Sequence, residues 1–188
     1  MTHVYIVRCN FSAPEQERAW NDWYSGPKIA DMLGKPHFVS CQRFRRAAGS
    51  GRDYLALWTL ASPDAFKTKQ YTSDWGFFEW ERFIADWSRD LFDAGARSFR
   101  EFAVEGDDTL EVVSFDSMGA DDAQTANAAI AESSPDTMWL PIAGLDRHTP
   151  VIGLRVSAGP ASTTPGGAKI QRGVYRPICE FQTAPHSA

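Results

Sequence analysis

Cysteine and histidine are scarce in this chain, and their scarcity narrows its chemistry. Three cysteines, Cys9, Cys41 and Cys179, stand far apart in apolar surroundings. An odd, dispersed set argues against a disulfide scaffold and reads as reduced core thiols of a cytosolic protein. Four isolated histidines, at positions 3, 37, 148 and 186, share no spacing that a metal site would need. No metal and no cofactor is therefore expected. No apolar run nears the ~20 residues that span a bilayer. The opening MTHVYIVRCNF lacks the charged start and long apolar stretch of a secretion signal. Dense basic runs are missing too: net charge is −5, and RFRRAAGSGR (43–52) is the nearest approach. Neither nucleic acid nor membrane is an expected partner. No Gly-x-Gly-x-x-Gly follows a strand, no nucleophile elbow occurs, and GPASTTPGG lacks the lysine-serine ending of a phosphate loop.

Aromatic residues, by contrast, are abundant, with seven tryptophans and twelve phenylalanines in 188 residues. A chain of that length builds one substantial core, or two small similar units sharing one. The segment WNDWYSGPKIADMLGKPHF (20–38) gathers three large aromatics, a lysine after Gly-Pro and a histidine after proline. Either a core or the wall of a reaction chamber would use such a composition.

Periodicity predicts the elements. HVYIVRC (3–9) reads as a strand. Ser12 and Glu15 have capping-box spacing, and a helix follows to about Tyr24. Trp20, Trp23 and Tyr24 lie on one face of it, and Gly26-Pro27 interrupts it. HFVSCQRFRR (37–46) and DYLALWTL (53–60) form a hairpin around AAGSG. Ser62-Pro63 opens a second helical region. From Trp75, the spacing Phe77, Trp80, Ile84, Trp87, Leu91 predicts an amphipathic helix ended by Gly95, and SFREFAVEG (98–106) a fourth strand. The order β-α-β-β-α-β over 3–106 is the ferredoxin-like unit. In residues 107–188, TLEVVSFDS (109–117), TPVIGLRVS (149–157) and GVYRPICEF (173–181) read as strands, ADDAQTANAAIAES (120–133) as a helix, and AGPASTTPGGA (158–168) as a loop. This second stretch is a degenerate copy that completes or extends the sheet.

The run W-N-D-W-Y-S-G-P-K, then D-M-L, P-H-F-V-S and R-F-R, followed by Y-L-A-L-W-T-L, resembles the dimeric α/β barrel superfamily, nearest the EthD-like group. That group carries W-Y, H-L-P-D-M-L, P-G-F and R-R-Y after its first strand, and Y-L-A-L-Y after its hairpin. The match spans about residues 3–95, roughly half the chain. Lys28 stands where the group has its helix-end histidine, and His37 where it has a glycine. The resemblance implies an α+β fold in which two ferredoxin-like units close a barrel, from two chains of a homodimer or from two halves of one. Its members include polyketide cyclases, cofactor-free monooxygenases, lactone isomerases, heme-dependent enzymes and proteins with no assigned activity, so fold does not select a reaction.

Each candidate residue has a plain alternative. Trp20, Trp23, Trp75, Trp80 and Trp58 are either core stripe or flat walls for a ring-shaped substrate. Lys28 is a solvated turn lysine, or a base or anion anchor if its surroundings are apolar. Asp31, three residues on, is a surface ion-pair partner or sets the protonation of Lys28. His37 is a strand-end histidine or a general base. Arg43 and Arg45 share a strand face, and either meet solvent or, if that face lines the barrel, bind a carboxylate or enolate. Tyr24, Tyr54 and Tyr5 pack or donate a phenol hydrogen bond. His148, beside Asp146, is a surface residue or part of a general-base pair, and nothing supports heme at His37 or His148.

The reaction expected from these residues is cofactor-independent acid–base chemistry of lyase, isomerase, dehydratase or cyclase type on a small hydrophobic, aromatic compound. His37 would be the base, Tyr24 or Tyr54 the donor to oxygen, and Lys28 or Arg43 the support of the developing anion. Cofactor-free oxygenation of a phenolic substrate, and ligand binding without catalysis, are the alternatives.

Overall fold

A computed structural model describes residues 1–116, 118–158 and 169–185. Among the described residues nine strands make one sheet: β1 (His3–Phe11), β2 (Phe38–Gly49), β3 (Tyr54–Leu60), β4 (Ile84–Asp93), β5 (Thr109–Ser114), β6 (Met138–Leu145), β7 (Val151–Ser157), β8 (Gln171–Pro177) and the two-residue β9 (Gln182–Thr183). The helices are α1 (Glu17–Trp23), α2 (Ile29–Leu33), α3 (Lys69–Thr72) and α4 (Ala120–Ser133).

The strand order is β3-β1-β4-β6-β7-β5-β8-β2-β9, and β3 also pairs with β2. That last pairing closes an eight-stranded antiparallel barrel, so no long edge is left unpaired. Closure occurs within one chain. One seam joins β4 to β6 (Leu91↔Gly144), the other β2 to β8 (Arg46↔Tyr175, Gly49↔Gly173). The halves β2-β3-β1-β4 and β6-β7-β5-β8 repeat one relative order.

Side-chain alternation separates two faces of the first half. Val4, Ile6, Phe44, Leu55, Leu57 and Phe92 point into the barrel, where they meet Leu110, Val112, Leu140, Ile152, Leu154 and Tyr175 from the second half. Buried charge sits there as well. Arg8 pairs with Asp90 and Asp116 at 3.1 Å each, and Arg52 with Asp116 at 2.9 Å. The opposite parity, including Tyr5, Val7, Cys9, Cys41, Tyr54 and Trp58, packs under the helical cover of residues 14–83. On the outer face of the second half, Phe115 packs with Ala123 and Ile130 of α4.

Several sequence expectations need correction. The capping box at Ser12 does not form, because both the Ser12 amide and hydroxyl donate to the Phe83 carbonyl at 2.8 and 3.0 Å. Gly26-Pro27 does not stop the helix. Tyr24–Lys28 forms a five-residue π turn that carries the chain into α2. β2 runs through part of the expected hairpin loop to Gly49, because β8 supplies a second partner. The long tryptophan helix is absent: Phe78–Phe83 is a 3-10 segment and Ile84–Asp93 is strand β4. Gly76 and Phe78, with φ of 103° and 53°, break the helical path between them. The expected strand at 98–106 begins instead as a 3-10 turn, Phe99–Phe102, held by a capping box of Ser98 and Glu101. Strand β6 was not anticipated, β5 ends at Ser114, and α4 has the expected bounds. The loop expected at 158–168 lies almost wholly outside the described residues.

Candidate functional site

The π turn places the central residue. Pro27 has no amide hydrogen, so an ordinary helical turn cannot pass through it. The wider turn keeps the chain helical and turns both Tyr24 and Lys28 inward, 5% and 6% exposed. Lys28 then faces a cavity of about 30 Å³ between cover and sheet. Tyr5, Val7, Trp58, Trp87 and Arg89 line it from the strands. Tyr24, Met32, Tyr71, Trp75, Gly76 and Phe77 line it from the cover. The rings interlock: Tyr71 stacks on Trp75 at 6.0 Å, Phe77 meets Trp87 edge-on at 5.9 Å, and the Arg89 guanidinium lies 4.3 Å over Trp75. Among the described residues, the exposed large hydrophobics other than Met1 are Trp75, Phe78 and Trp87, all at this site.

Its polar groups are poorly satisfied. Lys28 Nζ is buried without a hydrogen-bond partner and lies 4.7 Å over the Phe78 ring. Burial pulls its pKa below the ordinary 10.5; Asp31 and Asp74 oppose this and Lys35 adds to it. The Trp58 indole N–H and the Tyr71 hydroxyl are also buried without partners of good geometry. They adjoin the Tyr24 and Tyr5 hydroxyls respectively, close enough to perturb them. Burial raises the pKa of both Tyr24 and Tyr5, so these phenols stay protonated as donors.

Behind Tyr24 lies a second small space lined by Val7, Cys9, Trp20, Tyr24, Arg43 and Tyr54. Arg43 is 2% exposed and has no acidic partner among the described residues. It donates to Asn21 Oδ1 and Ser25 Oγ, both at 2.9 Å, and its guanidinium lies 4.2 Å from the Tyr24 ring and 4.7 Å from the Trp20 ring. Its strand face meets the helical cover, not the barrel interior. Arg45, farther along, is half-exposed and pairs with Glu17 at 3.3 Å.

The structure thus brings Tyr24, Lys28, Trp58 and Trp75 to one cavity, with Trp20, Arg43 and Tyr54 in the layer behind. The Tyr54 hydroxyl is taken by Glu17 and Asn21; burial and the Glu17 bond push its pKa up to about 12. Trp23 and Trp80 pack on each other at 6.2 Å, away from the cavity wall. Asp31 pairs with Lys35 at 3.0 Å and not with Lys28, because Lys35 follows it one helical turn on. His37 is exposed in a turn at φ 71°, outside the cavity. His148 lies in the β6–β7 connection, where its amide donates to Asp90 Oδ1 at 2.7 Å. Sequence reading passed over Tyr71 and Arg89. Once 84–93 is a strand, alternation with Trp87 and Leu91 reveals Arg89 on the covered face.

A larger groove, about 510 Å³, runs past Gln42, Arg100, Glu105, Cys179, Glu180 and Phe181. Its one deeply buried polar side chain, Gln42, is satisfied by Val104 and by the Cys179 carbonyl. That side chain therefore offers a ligand no unmet buried hydrogen bond.

No protein-family model and no curated protein matches the sequence. Solved structures match by shape. An anthrone oxidase-like protein superimposes with a TM-score of 0.57 at 13% identity, over 100% of this chain and 94% of that one. A variant of chlorite dismutase from Candidatus Nitrospira defluvii gives 0.51 at 9% identity, over 94% of this chain and 92% of that one. The chain shares the barrel fold of these two structures; the likenesses lend nothing to the EthD-like group.

The resemblance read in the sequence implies heme-dependent proteins among others, so the fit of a macrocycle matters. The Lys28 cavity is about 30 Å³, against ~300 Å³ or more for a usual ligand site, and among the described residues no histidine lines it. Among the described residues, no group of three His, Cys, Asp or Glu side chains is placed to hold a metal ion. These residues do not fit a heme.

Proposed function

We propose that the protein is a small-molecule enzyme performing cofactor-independent acid–base chemistry on a hydrophobic aromatic compound in the Lys28 cavity. The observation that carries this is a buried, unpartnered lysine nitrogen on an aromatic wall, next to protonated phenols. With its pKa lowered, Lys28 reaches the neutral amine more readily than a free lysine. Neutral Nζ takes a proton from a carbon beside a carbonyl, or from an acidic hydroxyl. The electron pair stays on the substrate as enolate or phenolate, and Lys28 becomes ammonium. Tyr24, and Tyr5 or Tyr71, donate to the developing oxyanion. Returning the proton to another atom completes an isomerisation; expulsion of a leaving group completes an elimination. Lys28 takes the role that the sequence suggested for His37.

A cavity this small requires the cover segment 73–78 to shift as a ring enters between Trp75 and Trp87. Gly76, at φ 103°, lies within that segment.

The test is hydrogen exchange at a carbon acid. Proton NMR of 2-tetralone in deuterated buffer should show α-proton loss accelerated by the protein, with an apparent pKa below 10.5. The substitution Lys28→Met should abolish the acceleration. Exchange unaffected by the protein, or equal in the variant, contradicts the proposal.

The likeness to an anthrone oxidase-like protein favours a second reading, cofactor-free oxygenation. The same deprotonation would give a carbanion whose two electrons reduce dioxygen. The hydroperoxide formed at that carbon then loses water, converting CH2 to C=O. Oxygen uptake without flavin or metal separates this reading from the first. Ligand binding with neither exchange nor uptake leaves a binding protein. The kinship to the EthD-like group, the division into ferredoxin-like units at 1–106 and 107–188, and homodimer formation belong to this proposal as well. Because the barrel closes within the chain, a dimer is not needed to complete it.

A further inference from the structure

We infer that the Lys28 cavity is an aromatic oxyanion site: its ligand is a planar ring bound as an anion, with the charged oxygen against Lys28. This rests on the cavity being the functional site, and it adds the charge state of what enters. Three observations converge. The Lys28 nitrogen is buried with no acceptor, and the buried Trp58 N–H and Tyr71 hydroxyl on the same wall also lack well-placed partners. No carboxylate lines the cavity; Asp31 and Asp74 are both engaged by Lys35 at 3.0 and 3.4 Å. The other lining cation, Arg89, is spoken for by Asp146 at 3.3 Å and by the Trp75 ring.

A buried ammonium without a partner is costly, and a bound oxyanion is the group that relieves it while satisfying the neighbouring donors. A neutral aromatic would fill the space and leave Lys28 unmet. The rings of Trp75 and Trp87 set the planar shape of the ligand. The oxyanion has two sources. A carboxylate arrives charged. A phenol arrives neutral, passes its proton to neutral Lys28 Nζ, and is held as phenolate against the ammonium it has created.

The experiment uses the full chain and three probes: 4-nitrophenol, whose anion is yellow, benzoate, and neutral nitrobenzene. At a pH about one unit below the phenol's own pKa, the protein should raise the yellow anion fraction saturably. Benzoate should displace it, and nitrobenzene should compete at least about tenfold more weakly. The substitution Lys28→Met should remove the ionisation and weaken anion binding about tenfold or more, while Lys28→Arg, which keeps the charge, should still bind benzoate. Circular dichroism checks that both variants are folded. Benzoate binding without phenol ionisation assigns the site to ligands that arrive charged, and still supports it. Nitrobenzene binding as tightly as the anions, or a folded Lys28→Met variant that binds them like wild type, overturns the inference. The readout is binding and not exchange, so this claim and the enzymatic one fail separately.

Discussion

Lys28 and Arg43 are two buried cations that the fold treats differently. Arg43 is hydrogen-bonded and enclosed by aromatic rings, so it belongs to the scaffold behind Tyr24. Arg43→Lys keeps the charge but loses the planar fork, leaving Asn21 and Ser25 imperfectly bonded, and should cost about 1–3 kcal/mol in urea unfolding. A loss below a few tenths would show that the fork is not what holds α1 to β2. Lys28 is the reverse case: its nitrogen has no hydrogen-bond partner among the described residues, and only the Phe78 ring and the more distant charges of Asp31 and Asp74 offset its burial. Lys28→Met should raise stability by about 1–3 kcal/mol while weakening anion binding about tenfold or more, as expected where function is kept at the expense of stability. A destabilised variant would mean that the ammonium is satisfied in the fold after all. Lys28 and Tyr24 stood out in the sequence because a cation among aromatics is an uncommon composition; Trp58 was read from its strand, and Trp75 from a helical stripe that does not form. His37 misled because residue type was visible and direction was not: its positive φ turns the ring to solvent.

At the scale of elements, the stretch 73–93 holds the main lesson. Its apolar spacing fits a helical stripe, yet Ser88 and Asp90 are fully buried inside the barrel, where Arg8 meets Asp90. A polar barrel interior removes the apolar alternation by which a strand is read. Where both faces are mainly apolar, as over Val4–Val7 of β1, or where a helix stands free on a sheet, as α4 does, the elements were legible. The segment before β4 carries Trp75 and Phe77 over the cavity and depends on Gly76 at φ 103°, where an added Cβ would meet no atom. The cost of Gly76→Ala is therefore purely backbone, about 1–2 kcal/mol, and should lower Tm by a few degrees and increase acrylamide quenching of tryptophan fluorescence. Unchanged melting and quenching would show that this conformation does not seat the cover.

For the whole molecule, the repeat of strand order across the halves and the two seams make one barrel, and the ion network of Arg8, Asp90, Asp116 and Arg52 ties them internally. A barrel was legible through resemblance; closure within one chain was not, because β6 and the β2–β8 pairing depend on contacts far apart in sequence. Burial alone would raise the pKa of Asp116, but Arg8 and Arg52 outweigh it, with Ser114 assisting, and hold the carboxyl below its ordinary value. A depressed folded-state pKa contributes stability that is present above the unfolded value, about 3.9, and is lost as pH falls through the folded one. Urea midpoints should therefore drop below about pH 4 in wild type and drop less in Asp116→Asn, whose remaining neighbours are Arg8, Arg52, Ser114 and, across those arginines, Asp90 and Asp86. Equal acid sensitivity in both would remove Asp116 from the account.

A crystal structure with 4-nitrophenol bound bears most directly on where the chemistry resides. The ring should lie among Trp75, Phe77 and Trp87 with its oxygen about 2.7–3.2 Å from Lys28 Nζ and the 73–78 segment displaced. A closed cavity with the ligand in the groove beside Gln42 and Cys179, or bound nowhere, would contradict the assignment.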